Sequence, residues 1–197
     1  RIILGGWEKA GILPLLDVTV SDFSEETLRN LKLRFPRVKT LTRGNREAAW
    51  SDIVFLALQP PDADEVLTEI RPTLQDNALV VSLMPKIRIT ELSDSLGGFR
   101  RIVRMIPNAP SIIGQGYNPV SFSPGITDND RFSLLPLFTA LGESPQVLEE
   151  HLEAYAVITA MGQALPWRAR SSRVNSQPFM PGIMMSRRMT AGRGPSR

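Results

Sequence analysis

The clearest pattern in the chain is an unbroken apolar run, Ile53-Val54-Phe55-Leu56-Ala57-Leu58, that begins after Asp52 and stops at Gln59-Pro60-Pro61. A run without polar alternation marks a strand covered on both faces, as in parallel sheets. Ala78-Leu79-Val80-Val81-Ser82-Leu83 repeats the pattern, and Arg100 to Ile106 gives a third strand. Earlier, Asp17-Val18-Thr19-Val20-Ser21 is β-branched and alternating, and Val38-Lys39-Thr40-Leu41 is a shorter strand. Pro119 to Ser123 and Val147-Leu148 are the last two expected strands.

Between these runs the apolar spacing changes to that of helices. Ser24 is placed to cap a helix with Leu28, Leu31 and Phe35 on one face, closed by Pro36. Further helices are expected from Asn45 to Trp50, Asp62 to Leu74, Ile89 to Leu96, Phe132 to Leu141, and from Leu152 to Met161. Strands alternating with helices predict an α/β fold of βαβ units with a mainly parallel, Rossmann-type sheet. Ligands of such sheets sit at the carboxyl ends of the strands, which directs attention to Asp22, Gln59, Ser82 and Asn108.

Composition narrows the chemistry. The chain has 197 residues and no cysteine, which excludes disulfides and thiol or thiolate chemistry and is compatible with the cytoplasm. No run reaches the ~20 apolar residues of a membrane span, and the first residues do not read as a signal peptide. The net charge is +3, but seven arginines and no acid fall between Gln163 and Arg197, so residues 1–162 carry −4. The segment 163–197 lacks an apolar face and is expected to be a disordered, solvated Arg-rich tail. Nucleic acid is therefore not the expected partner. His151 is the sole histidine and reads as a surface residue, and no metal-ligand spacing is present.

The most specific stretch is Pro107-Asn108-Ala109-Pro110-Ser111-Ile112-Ile113-Gly114-Gln115-Gly116, directly after a strand. The prolines stiffen the turn, Asn108 can match a carboxamide, and the glycines permit close approach or positive φ. This stretch resembles the P-N-x-P-x-x-x-G-x-G motif of the pyrroline-5-carboxylate reductases. Val18-Thr19-Val20-Ser21-Asp22, Ser51 to Pro60, Leu79 to Leu83 and Arg101 to Asn108 resemble that family's other segments in the same order, from about Arg1 to Gly162.

The resemblance implies a Rossmann domain over 1–150, the start of a helical dimerisation domain over 151–162, and reduction of a cyclic imine acid, pyrroline-5-carboxylate, to proline with NADP or NAD as cofactor. The intact family is homo-oligomeric. It implies that Ala57, Leu58, Gln59 and Pro60 line the nucleotide cleft, that Ser82 faces it, and that Asn108 lies near the nicotinamide. Ser82 reads equally as a turn hydroxyl, and the alternative for Asp22 is a residue that only starts the following helix. An acid at Asp22 suits a ribose 2′-OH, whereas Phe23 stands where relatives place a phosphate binder. NADH is thus expected to serve at least as well as NADPH.

The sequence also departs from the family. No strand and G-x-G-x-x-G turn precede Arg1 to Gly11, which resembles the back half of the first Rossmann helix, so Gly5-Gly6 is not the phosphate fingerprint. After Gly162 the family pattern stops. Gln59 and Pro85-Lys86 replace the usual lysine and Ala-Gly. The chain is expected to be truncated at both ends, inactive as a reductase, and to leave a gap or a direct closure between Asp17–Ser21 and Asp52–Leu58. The alternative is a nucleotide-binding or interaction module of the same fold without activity.

Overall fold

The computed structural model describes residues 1–161 and 183–188. Helix α1 (Ile2–Lys9) leads into β1 (Asp17–Asp22), α2 (Glu25–Arg34), β2 (Lys39–Thr42) and the short α3 (Asn45–Ala49). Then follow β3 (Ile53–Ala57), α4 (Pro60–Ile70), β4 (Leu79–Ser82), α5 (Ile89–Ser95) and β5 (Ile102–Met105). After β6 (Gly116–Tyr117) come β7 (Val120–Phe122), α6 (Asp128–Thr139), β8 (Gly142–Glu143), α7 (Leu152–Met161) and β9 (Ile183–Arg188). The main sheet has the order β2-β1-β9-β3-β4-β5-β7, and β6 pairs with β8 in a separate two-stranded sheet.

The expected α/β fold is present. Strands β2, β1, β3, β4 and β5 run parallel, and only β9 and β7 oppose them. The apolar strand runs are double-sided for a visible reason. Ile53, Phe55 and Ala57 of β3 pack on one face with Ile3, Leu4 and Trp7 of α1, Leu28 and Leu31 of α2, and Leu134, Leu137 and Phe138 of α6. Val54 and Leu56, with Leu58, pack on the other with Ala48 and Ala49 of α3, Ala63, Leu67 and Ile70 of α4, and Leu92 of α5. Helices cover both faces, so every strand residue of β3 is buried.

Local signals account for most element ends. Ser24 Oγ accepts from the Thr27 amide at 3.2 Å, as expected of a cap. Helix α6 begins four positions before the expected Phe132. Thr127 and Asp130 form a capping box there, with Thr127 Oγ1 accepting from the Asp130 amide and Asp130 accepting from the Thr127 amide. Apolar spacing does not register such a polar first turn. The strand expected at Val147-Leu148 is instead β8, with one isolated bridge between Val120 and Gln146.

In helix α1 the glycine pair Gly5-Gly6 serves close packing. A Cβ on Gly6 would stand 2.5 Å from the Ser111 carbonyl oxygen and 2.6 Å from Leu141. Trp7 fixes the same helix from inside, donating Nε1–H to the Leu137 carbonyl at 3.0 Å and meeting Phe55 edge-on at 5.3 Å.

The expected gap or direct closure beside β1 does not occur. Strand β9 fills the place between β1 and β3, antiparallel to both, with Met185 opposite Val20 on one side and Phe55 on the other. The same finding corrects the expectation of disorder for Ile183–Arg188; residues 162–182 and 189–197 lie outside the described residues. The physical reason is that two facing strand edges in a sheet interior present backbone groups that need partners, and an extended segment supplies them.

Two outcomes are expected. Gly6→Ala should lower stability by about 1–3 kcal/mol in urea melts, since the clash is with backbone; an unchanged midpoint would contradict the packing role. Deleting residues from Ile183 onward should accelerate amide exchange at Val18 and Val20 far more than at Val81 and Val103, and equal exchange in all four would contradict the role of β9.

Candidate active-site edge

The residues expected at the carboxyl ends of the strands are brought to one edge of the sheet, but their side chains do different things. Asp22 ends β1 and is 1% exposed. Its Oδ1 accepts from the Ser24 amide at 2.8 Å and so holds the residue that caps α2. Its Oδ2 is buried without a hydrogen-bond partner. Burial pushes the carboxyl up to about 6, against the lowering effect of the Ser24 and Phe23 amides. Phe23 follows, more than half exposed.

The Ala57–Pro60 segment divides. Ala57 and Leu58 are buried in opposite core layers, so their side chains face the core and only their backbone reaches the edge. Gln59 is half-buried and is the N-cap of α4, with Pro60 in its first turn. Ser82 is fully buried, and its Oγ accepts from the Met84 amide at 3.3 Å. That is the turn-hydroxyl arrangement, with the hydroxyl satisfying the chain two residues on.

Asn108 organises its own loop. Its Oδ1 accepts from the Tyr117 amide at 3.2 Å and lies 3.3 Å from Ser111 Oγ. Asn118, fully buried, accepts from the Asn108 amide at 3.2 Å and from Ser111 Oγ at 2.6 Å. The Asn108 carbonyl is thus committed to the loop, and its amide nitrogen is the group that remains for a ligand. Gly114 has φ +74°, and a Cβ on Gly116 would overlap Ser111 Oγ, as the motif's glycines require.

Two features of this edge escape the sequence reading. The first is Arg104 in β5, 1% exposed. It donates to Glu149 at 3.0 Å, to Glu153 of α7 at 2.6 Å and to the Met84 carbonyl at 3.4 Å. Glu149 also accepts from the Ile89 amide, and Glu153 from the Lys86 amide, so one guanidinium ties α7 to the loop after β4. Burial draws the Glu153 carboxyl upward, but the bond to Arg104 and its charge outweigh this and hold it below its ordinary value. The lone cation inside the apolar I-V-R-M run, with Glu149 and Glu153 four apart, was the available signal. Lys86, which stands where the family has glycine, holds φ +68°.

The second is Arg43, just past β2, at φ +54°. Its amide donates to the Asp22 carbonyl at 3.1 Å. Nothing in the spacing of Thr42-Arg43-Gly44 flagged it, because the neighbour is set by strand pairing. His151 is exposed, as expected, and among the described residues no cluster suits a metal ion. No helix of the described residues is long and apolar enough to cross a membrane.

This arrangement has relatives. The Escherichia coli pyrroline-5-carboxylate reductase is 32% identical over 149 residues, covering 76% of this chain and 55% of that protein. A Coxiella burnetii pyrroline-5-carboxylate reductase structure superposes with a TM-score of 0.73 at 26% identity, covering 83% of this chain and 61% of the other. The chain is similar to the pyrroline-5-carboxylate reductases over about three quarters of its own length. Residues 1–86 also match the family model for coenzyme F420-dependent NADP oxidoreductases. The Plasmodium falciparum pyrroline carboxylate reductase, solved with NADP bound, shares the fold with a TM-score of 0.71 at 21% identity, covering 83% and 59% of the two chains. The chain spans about half the length of the curated pyrroline-5-carboxylate reductases it matches.

Asp22 yields a pH prediction. Its folded pKa lies above the unfolded value, so the folded state holds a proton that the unfolded chain has lost, and stability falls as pH rises from about 4 to about 6. Asp22→Asn should match the wild type near pH 4 and exceed it by about 1–3 kcal/mol at pH 7.5 in urea melts. A difference independent of pH would contradict the buried, partnerless carboxylate.

Proposed function

We propose that the described chain is the dinucleotide-binding part of an NAD(P)H-dependent reductase that converts the cyclic imine acid pyrroline-5-carboxylate to proline. Residues 1–150 carry the cofactor fold and α7 opens the helical domain that completes a substrate site in the family. The observation that carries the reading is Asp22 Oδ2, a buried acceptor without a partner at the carboxyl end of β1. A ribose hydroxyl is the donor such a position suits. The residues present therefore fit the adenosine half of NADP or NAD. In this reading Asp22 holds the ribose, Phe23 offers a ring to the adenine, and the backbone of Ala57 and Leu58 with Gln59 and Pro60 lines the middle of the cleft. Ser82 stiffens the next turn, and Asn108 presents its amide nitrogen toward the carboxamide. The cofactor, when bound, supplies the hydride; the protein's part is to bind, orient and exclude water.

A second reading has its own support. Strand β9 runs against β1 and β3, so its carboxyl end lies at the opposite edge from theirs and the place carries no strand-to-helix turn into α1. Such a turn is what holds a pyrophosphate at a helix N-terminus. The chain as given then binds nucleotide through its adenosine half and does not turn over.

The purified chain is expected to show no NADH- or NADPH-dependent consumption of pyrroline-5-carboxylate, while NADH still binds in equilibrium dialysis and Asp22→Ala weakens that binding at least about tenfold. Turnover would refute the inactive reading. Absence of binding would refute the dinucleotide reading itself.

A further inference from the structure

The main sheet ends at β2, whose outer edge has no neighbouring strand among the described residues. The Arg43 amide donates to the Asp22 carbonyl at 3.1 Å and so faces β1. Backbone groups alternate in direction along a strand, so Leu41 faces β1 as well, and the amides and carbonyls of Thr40 and Thr42 face away from the sheet. Such an edge is a template for another chain and is usually guarded by lysines. Here Lys39 Nζ is bonded to Glu47 of α3 at 2.5 Å, and Lys32 Nζ donates to the Val38 carbonyl at 2.9 Å. Both lysines are thus committed to groups of their own chain. The charge around the edge is one-sided. Residues 29–46 hold seven basic residues and no acid. They carry +7 while residues 1–162 as a whole carry −4, so the rest of that span carries −11. Arg29 and Arg34 of α2, Arg37 before β2 and Arg46 of α3 are exposed and form no ion pair with any acid among the described residues. Helix α2 packs on one face of the sheet through Leu28 and Leu31, and α3 on the other through Ala48 and Ala49, so cations flank the open edge on both faces.

We infer that the β2 edge is a docking site for an extended acidic peptide segment of a partner protein, which joins the sheet as a further strand. Backbone hydrogen bonds to Thr40 and Thr42 supply the affinity, and the arginines select a strand that carries carboxylates. The open backbone edge and the surrounding cations are separate observations. An acidic strand meets both, whereas a nucleic acid meets only the cations. The site is separate from the carboxyl edge, so it stands or falls without the dinucleotide reading.

Fluorescence anisotropy of the full chain at low salt, with a labelled peptide of about ten residues alternating Glu and Val, tests this. The chain should bind it, and a Lys-Val peptide of the same length should bind at least about tenfold more weakly. The double variant Arg29→Gln, Arg37→Gln should weaken the acidic peptide at least about fivefold. Arg100→Gln removes an exposed charge before β5, on the far side of the sheet, and should change binding less than about twofold. A fully N-methylated acidic peptide keeps the charge but loses its backbone donors and should not bind. Amide exchange should slow at Thr40 and Thr42 when the unmethylated peptide is present. Circular dichroism melts establish that each variant is folded. No binding at low salt, or binding that methylation or the double variant leaves unchanged, would overturn the proposal. Displacement of the peptide by an equal concentration of a thymidine oligonucleotide would overturn it in favour of a polyanion face. Self-association that the double variant abolishes would overturn it in favour of a second copy of the chain.

Discussion

A strand in the interior of a sheet must be hydrogen-bonded along both edges, and this chain meets that demand at its centre with a segment from far along its sequence. Strand β9 lies between β1 and β3 and gives Val20 and Phe55 a common neighbour at Met185. Without it, the two parallel blocks β2-β1 and β3-β4-β5 would face each other with unpaired amides and carbonyls in a region covered by helices on both sides. The helices depend on the same continuity, because α1 packs over β3 through Trp7 and Phe55 while α2 packs over β1. An antiparallel strand satisfies the backbone as well as a parallel one. It does not deliver the chain to the same edge, and that difference separates the fold's stability from its chemistry.

The carboxyl edge is built by two kinds of buried charge. Arg104 pairs through both Nη atoms with two carboxylates and a carbonyl, the condition under which a buried cation is tolerated, although its Nε is buried without a partner. It joins β5, the loop at Met84 and Lys86, and α7 into one unit, so the helix leading away from the sheet is oriented by the same residues that shape the cleft. Asp22 is the opposite case. One oxygen is used and the other is left in the protein without a donor, and the carboxyl responds by holding its proton to about pH 6. A structure that spends stability on such a group keeps it for a partner that arrives with a donor, which is the argument for a ribose at this edge.

Much of the fold was legible because both-face burial writes itself as continuous apolar runs, as at Ile53–Leu58 and Leu79–Val81. The order of β1 to β5 follows from alternating periods, and Ser24 and Pro36 mark α2 without ambiguity. The reverse strand at Ile183–Arg188 was not legible. Its segment is short, arginine-containing and set among Pro, Gly and Ser, and its pairing is decided by an edge more than a hundred residues away. Within the site, Asp22 was legible from its place after a strand. The division of Ala57 and Leu58 into the two core layers, and the commitment of Asn108 Oδ1 to the Tyr117 amide, depend on side-chain direction that spacing alone does not carry. Arg43 was hidden for a similar reason: its neighbour Asp22 is twenty-one positions away and joined to it only by strand pairing.

The account stands most directly on where a dinucleotide meets the chain. Backbone amide NMR of the isotopically labelled full chain, titrated with NADH, reports that location residue by residue. The largest shift changes are expected at Asp22, Phe23, Leu58 and Gln59, with smaller ones at Asn108 and little change at Arg37 or along α6. Changes centred on the amino edge of the sheet, or none at saturating NADH, would contradict the assignment of the carboxyl edge as a dinucleotide site.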